Sequence, residues 1–134
     1  MSKSSPDVQS RILLTDTPAQ ITSKLRSAVT DSTVGITYDP INRPGVSNLL
    51  TILGACLDRD PTELAQEYAS KNNAEFKALV IDAVQELFRR PREEFERLKV
   101  ERAYLEEVAR DGAQRAQMHS EETMKSVREF LGLC

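Results

Sequence analysis

Tryptophan is absent, aromatic residues make up 5% of the 134 positions, and there are only five glycines and six prolines. So little turn punctuation excludes a many-stranded β sandwich or barrel, in which turns recur roughly every 8–12 residues. Cysteine is scarce too. Cys56 and Cys134 make neither a disulfide framework nor a metal cluster, which points to a reducing, intracellular setting. No apolar run approaches the ~20 residues of a spanning helix, and the run Ala78-Leu79-Val80-Ile81 is cut by Asp82. The opening Met1-Ser2-Lys3-Ser4-Ser5-Pro6 has neither the apolar centre of a signal peptide nor the arginines of an organellar presequence. The chain is therefore expected to be cytosolic or to have lost whatever preceded it. An excess of one charge is also lacking, with 18 Lys+Arg against 21 Asp+Glu and a net charge of -3. That balance excludes a generally basic nucleic-acid coat protein and leaves room for a local basic patch.

What is present is helical. All six acids in residues 1–60 are Asp, whereas thirteen of the fifteen acids in residues 61–134 are Glu. Asp competes with the helical backbone and favours caps and turns, while Glu is a good helix former. Thr17-Pro18-Ala19-Gln20 is a capping box with Pro at the first helical position, followed by the stripe Ile21, Leu25, Ala28 and Val29. Val46, Leu49, Leu50, Leu53, Cys56 and Leu57 predict a second helix, and Asp60-Pro61-Thr62-Glu63 opens a third. A fourth starts at Asn72-Asn73-Ala74-Glu75 and carries Phe76, Leu79, Val80, Ala83, Val84, Leu87 and Phe88 on one face. Pro91 should kink or restart it, since the ring clashes with the carbonyl four residues back. The apolar phase nevertheless continues through Phe95, Leu98, Leu105 and Val108. Asp111-Gly112 predicts a break before a last helix that ends at Gly132. Ile12–Leu14 and Val34–Tyr38 could be short extended stretches, too few for a sheet. The fold class is all-α: a helical bundle over residues 45–134, preceded by an irregular arm over residues 1–44.

Four segments carry a resemblance. Met1-Ser2-Lys3-Ser4 is similar to the last four residues of the Lys-Met-Ser-Lys-Ser signature of class I aminoacyl-tRNA synthetases. Lys24-Leu25-Arg26-Ser27-Ala28-Val29-Thr30-Asp31-Ser32 and Arg43-Pro44-Gly45-Val46-Ser47-Asn48-Leu49-Leu50 resemble successive blocks of the tryptophanyl-tRNA synthetases. The stretch from Gly112-Ala113 to Leu131-Gly132-Leu133 is similar to their C-terminal helix. The segments follow the order and spacing of the bacterial and organellar form. The signature's first lysine is missing, and Met1 stands where its methionine would be.

The resemblance implies a C-terminal portion of an ATP-dependent tryptophan–tRNA ligase. The nucleotide-binding Rossmann domain and tryptophan pocket would lie before residue 1, so the chain alone is expected to be inactive. Met1, Ser2, Lys3 and Ser4 would belong to the ATP-binding loop, and Lys3 would be its catalytic cation. ATP is implied as cosubstrate, with Mg2+ in the parent enzyme. The parent would be a homodimer of the mitochondrial matrix or bacterial cytoplasm, with no membrane association. The helices would be the anticodon-binding domain, with tRNA as partner, and the arm would pack on the absent domain and be loosely held here. The closely related tyrosine enzymes share this architecture, so tryptophan specificity rests on family likeness.

Beside the resemblance, the residues suggest one interface. Residues 89–102 hold six Arg and Lys against four Glu, and Arg89, Arg90 and Arg92 are the candidate nucleic-acid contacts. The competing account is a solvated face laced with i,i+4 pairs such as Glu93–Arg97. His119 has no partner cluster and is a surface residue, and Cys56 is a thiol on an apolar stripe. Thr30, Asp31 and Asn48 are polar residues at element ends that could hold the junction between catalytic and helical domains. No metal-ligand spacing, Gly-rich phosphate loop or nucleophile–base set occurs. The alternative to a ligase portion is a non-catalytic helical module that binds RNA or a protein.

Overall fold

A computed structural model describes residues 7–133. The described residues form a 3-10 turn (Val8–Ser10) and five helices: α1 (Pro18–Ser27), α2 (Pro44–Leu57), α3 (Pro61–Glu67), α4 (Asn73–Val100) and α5 (Arg102–Phe130). They divide into two compact units, one ending at Glu93 and one beginning at Glu94. Neither extended stretch forms a strand. The fold is all-α, as the sequence predicts.

Helix starts match their chemistry. At α1 the Thr17 hydroxyl accepts from the Gln20 N–H at 3.3 Å, and the Gln20 side chain accepts from the Thr17 N–H at 2.8 Å. Those reciprocal bonds satisfy donors that the first turn leaves without intrahelical partners. Asp60 accepts from Thr62 and Glu63 ahead of α3, and Asn72 accepts from Ala74 and Glu75 ahead of α4. Glu75 completes the second box by accepting from the Asn72 N–H at 3.1 Å. α2 and α5 lack a side-chain cap; Pro44 opens α2 and Asp58 closes it in the left-handed region with φ 53°.

The core of the first unit draws on every helix within it. Ile21 and Leu25 come from α1, Val46, Leu49, Leu50 and Leu53 from α2, Leu64 and Ala65 from α3, and Phe76, Val80, Ile81 and Val84 from α4. Ile36, between α1 and α2, is 1% exposed. The expected loosely held arm is thus not found over residues 7–44, where Ile21, Leu25 and Ile36 are buried. Each such side chain contributes about 1.5–3 kcal/mol on leaving water. The Ile36 N–H donates to the Ala69 carbonyl at 3.2 Å. Gly35 allows that approach, because its φ is +83° and a Cβ would lie 2.8 Å from the Ala69 oxygen.

The helix does not restart at Pro91, and the second expected interruption falls elsewhere. α4 runs unbroken through Pro91 to Val100. Proline's fixed φ is helical, so the cost is one missing hydrogen bond and a local clash. Ion-pair rungs flank it, with Arg89 on Glu86 and Arg97 on Glu94. The break predicted at Asp111-Gly112 is absent, because α5 continues through both residues. Asp111 is held within the helix by Arg115 at 2.8 Å, and Gly112 has open space around it. The chain turns instead at Glu101, whose N–H donates to the Leu98 carbonyl at 3.0 Å. The expected stop at Gly132 holds: the Leu133 and Gly132 N–H groups donate back to Arg128 and Glu129, with Gly132 at φ +67°.

The second unit contains the last turns of α4 together with α5. No residue of α5 is buried, and Leu105, Val108, Met124, Val127 and Leu131 remain exposed along it.

Two glycines should respond in opposite directions to alanine. Gly45→Ala places a methyl inside contact distance of the Val29 carbonyl and should cost about 1–3 kcal/mol by denaturant melting. Gly112→Ala fills open space on a helix and should add up to about 1 kcal/mol of stability to α5. An unchanged or lower helical signal in G112A would contradict a continuous α5.

Candidate functional site

α1 presents Ile21, Leu25 and Ala28 toward the core, and Lys24 stands on the same face, 6% exposed. An ammonium there needs an anion. Asp16, in the turn before α1, supplies it at 2.6 Å, with both side chains under a tenth exposed. The other role of Asp16 is local: the same carboxylate oxygen accepts from the Leu13 N–H at 2.8 Å. The Asp16 N–H donates to the Leu13 carbonyl at 3.0 Å, so the Leu13–Asp16 turn is closed from both sides. Burial alone would raise the Asp16 carboxyl, but the Leu13 N–H, the Lys24 ammonium and the charge of Arg92 together hold it below the usual value. Asp16 thereby ties the strand of chain that leads back toward residue 1 to α1 and to the electrostatic field of α4.

A second buried cation organises the loop between α1 and α2. Arg43, 7% exposed, donates twice to Asp31 at 2.8 and 3.0 Å. Its remaining N–H groups reach the Gly35 carbonyl at 2.9 Å, the Thr37 hydroxyl at 2.7 Å and the Thr33 carbonyl at 3.1 Å. A guanidinium has five N–H donors, and all are used. The Arg43 fork, with help from the Thr33 N–H, holds the Asp31 carboxyl well below the usual carboxylate range. The Asp31 carbonyl accepts from the Asn73 amide at 2.7 Å, which fastens the loop to α4. Asp31 therefore joins the loop to the start of α2 and to α4. Asn48 instead lines a cleft of about 280 Å³ with Asp7, Arg11, Lys24 and Ile52.

The candidate nucleic-acid residues on α4 differ from one another. Arg89 is answered by a bidentate bond to Glu86 at 2.8 and 3.0 Å and faces Glu93 at 3.9 Å. Its charge is locally neutralised. Arg90 is exposed. Arg92 is partly buried, and two of its guanidinium nitrogens meet neither solvent nor a hydrogen-bond acceptor. The anticipated Glu93–Arg97 pair is not formed, because Arg97 bonds Glu94 and Glu101 instead, each at 2.5 Å. Met1, Ser2, Lys3 and Ser4 lie outside the described residues, as does Cys134. Cys56 is partly buried, and burial raises its thiol pKa. Among the described residues no three His, Cys, Asp or Glu side chains converge to hold a metal, and no helix is long and apolar enough to cross a membrane.

Sequence reasoning passed over the Asp16–Lys24 pair, although one signal was available. Lys24 falls at i+3 within the stripe Ile21, Leu25, Ala28, and a charged residue on a buried face demands a partner. Nothing local marked Asp16 as that partner.

The pairs make two predictions. Lys24→Met leaves the Asp16 carboxylate buried without its ion-pair partner and should cost about 3–5 kcal/mol. Adding Asp16→Leu should recover part of that loss, and melts of the three variants would show it. The depressed Asp16 and Asp31 carboxyls contribute stability that is complete above the ordinary carboxyl value of 3.8 and is lost as pH falls below it. Melting temperature should therefore hold to about pH 5 and drop on acidification below pH 4. In Asp31→Asn the drop should be shallower.

The family model of class I tRNA synthetases (W and Y) matches residues 1–89. The mitochondrial tryptophan–tRNA ligase of Schizosaccharomyces pombe is 36% identical over 99% of this chain and 37% of its own length. That of Oceanobacillus iheyensis is 35% identical over 99% of this chain and 40% of its own length. The crystal structure of tryptophanyl-tRNA synthetase from Mycoplasma pneumoniae superposes with a TM-score of 0.73 at 26% identity, covering 98% of this chain and 42% of that one. The chain thus spans roughly two fifths of the length of these relatives.

Proposed function

This chain belongs to the class I tRNA synthetases of the tryptophan and tyrosine type, and from that membership we propose that it is the C-terminal portion of an ATP-dependent tryptophan–tRNA ligase. One observation carries the proposal: the likeness to tryptophan–tRNA ligases extends along 99% of the chain, through all five helices. Mitochondrial and bacterial relatives both match at this level, which favours a mitochondrial matrix or bacterial cytoplasmic enzyme. A homodimeric parent belongs to the same proposal.

In this reading residues 1–4 are the end of the ATP loop. During amino-acid activation the tryptophan carboxylate attacks the α-phosphorus of ATP and pyrophosphate leaves. Negative charge grows on the departing group, and the Lys3 ammonium meets it. A cation that binds developing charge more tightly than ground-state charge lowers the barrier. Ser2 and Ser4 offer hydroxyl and backbone donors to the same phosphates. Mg2+, when bound with ATP, would screen the triphosphate charge; among the described residues no three His, Cys, Asp or Glu side chains converge to hold it. The contribution of the folded part is positional: Asp16 closes the turn through which the loop segment joins α1.

The helices form the tRNA-binding part in this reading. Arg90 is the best-placed candidate for a phosphate contact, because it is exposed, whereas Arg89 is bonded to Glu86 and two of the Arg92 guanidinium nitrogens meet no solvent. Phosphate contacts would give salt-dependent affinity, and unstacked anticodon bases would give specificity.

Two measurements test the assignment. In the parent enzyme carrying its nucleotide-binding domain, Lys3→Ala should slow tryptophan-dependent pyrophosphate exchange by about 10²–10³-fold. An unchanged rate removes Lys3 from the mechanism. With the 134-residue chain, filter retention of tRNA across a salt series should show affinity falling as salt rises. Joint Arg89→Gln, Arg90→Gln and Arg92→Gln substitution should reduce both affinity and slope. If neither changes, the footprint lies elsewhere.

A further inference from the structure

The positive charge of α4 and α5 is mostly answered in place. Arg89, Arg97, Lys99, Arg102, Arg115 and Arg128 each face a carboxylate on their own helix or the adjoining turn. A different part of the first unit leaves its cations unanswered. The end of α1 and the first turns of α4 enclose a groove of about 470 Å³, lined by Arg26, Asn73, Ala74, Lys77, Ala78 and Ile81. That volume falls within the span of about 300–1,000 Å³ typical of ligand sites.

The lining holds two cations and no carboxylate. Lys77 donates to the Ala28 carbonyl at 2.7 Å and the Arg26 carbonyl at 3.1 Å. These dipoles fix the ammonium without cancelling its charge, and an ammonium has three donors. Arg26, which lines the groove, is exposed, and among the described residues no hydrogen bond or ion pair engages its side chain. The nearest acid in sequence on α4, Glu75, is turned back onto the Asn72 N–H. The Ala74 and Glu75 N–H groups are likewise taken by Asn72, so any pull on an anion comes from the two side chains. Ala74 and Ala78 are small and leave the space between those cations open.

We propose that this groove binds a phosphate of an RNA backbone, with Arg26 forking onto its oxygens and Lys77 supplying a second, fixed charge. Arginine's planar fork matches phosphate geometry, and a neighbouring lysine acts as a point charge. A carboxylate-free cationic groove favours a polyanion over a neutral or basic surface. That the polyanion is RNA rests on the reading given under Proposed function; that the groove takes phosphate rests on the groove alone.

The test is fluorescence anisotropy of a labelled, unmodified tRNA transcript against the 134-residue chain over a salt series. Arg26→Gln should weaken binding and lower the slope of log affinity against log salt by about one contact's worth. Arg26→Lys should restore the slope, because charge is retained. Since Arg26 is exposed, the melting temperature of R26Q should match the parent chain, and a fall in affinity accompanied by unfolding counts against the groove. If the wild-type chain binds the transcript and R26Q binds it equally with the same slope, the groove is overturned while the tRNA-binding reading stands. If the wild-type chain does not bind the transcript, both fall. Sodium pyrophosphate serves as the small-anion arm: saturable binding of pyrophosphate that R26Q abolishes, with transcript binding untouched, overturns RNA as the ligand.

Discussion

A single buried guanidinium sets the geometry of the first unit. Arg43 uses all five of its donors on a loop of seven residues, from Asp31 to Thr37. Without those bonds the half-buried Asp31 carboxylate and Gly35 carbonyl would have to be satisfied some other way, because acceptors left unpaired away from water are costly. With the bonds in place, Ile36 can sit in the core, Gly35 can approach the Ala69 carbonyl, and Asp31 can offer its own carbonyl to Asn73 at the start of α4. The turn into α2 follows directly, since Arg43 also occupies the N-cap position of that helix.

Charge is used in two distinct ways along the chain. In the first unit the Lys24–Asp16 pair is buried and the Arg43–Asp31 pair half-buried, and each joins a helix or its cap to the loop that precedes it. Removing one partner there strands the other in a poorly solvated place. On the later helices the pairs are exposed, lie mostly three or four residues apart, and join a helix to itself. Pairs of that kind contribute only a few tenths of a kcal/mol or so each. The density of arginine near Pro91 is therefore a weaker guide to ligand charge than it looks, because Arg89 is already neutralised by Glu86 and Arg97 by Glu94 and Glu101.

Helix starts were legible because their signals are local. Thr17-Pro18-Ala19-Gln20, Asp60-Pro61 and Asn72 each name the atoms that will cap the next turn, and the bonds form as the residue types require. Interruptions were less legible. Pro91 and Gly112 read as breakers, yet a helix tolerates either when the surrounding turns cost less to keep than to abandon. The real turn at Glu101 has neither glycine nor proline to announce it. The cationic groove was invisible for another reason: Arg26 and Lys77 are separated by fifty positions, and an arginine in a helix's last turn ordinarily signals no more than favourable placement against the helix dipole.

The residue order alone determined the helical class, the caps, the apolar stripes and the family likeness, since all of these depend on neighbours within about four positions or on motifs in sequence. Tertiary structure decided which cations are spent and which are left. Lys24 and Arg43 vanish into buried pairs, Arg89 is neutralised on its own helix, and Arg26 and Lys77 share a groove without an acid. The reason is range: an electrostatic partner is chosen by distance in space, and packing α1 against α4 brings together side chains that the chain keeps far apart.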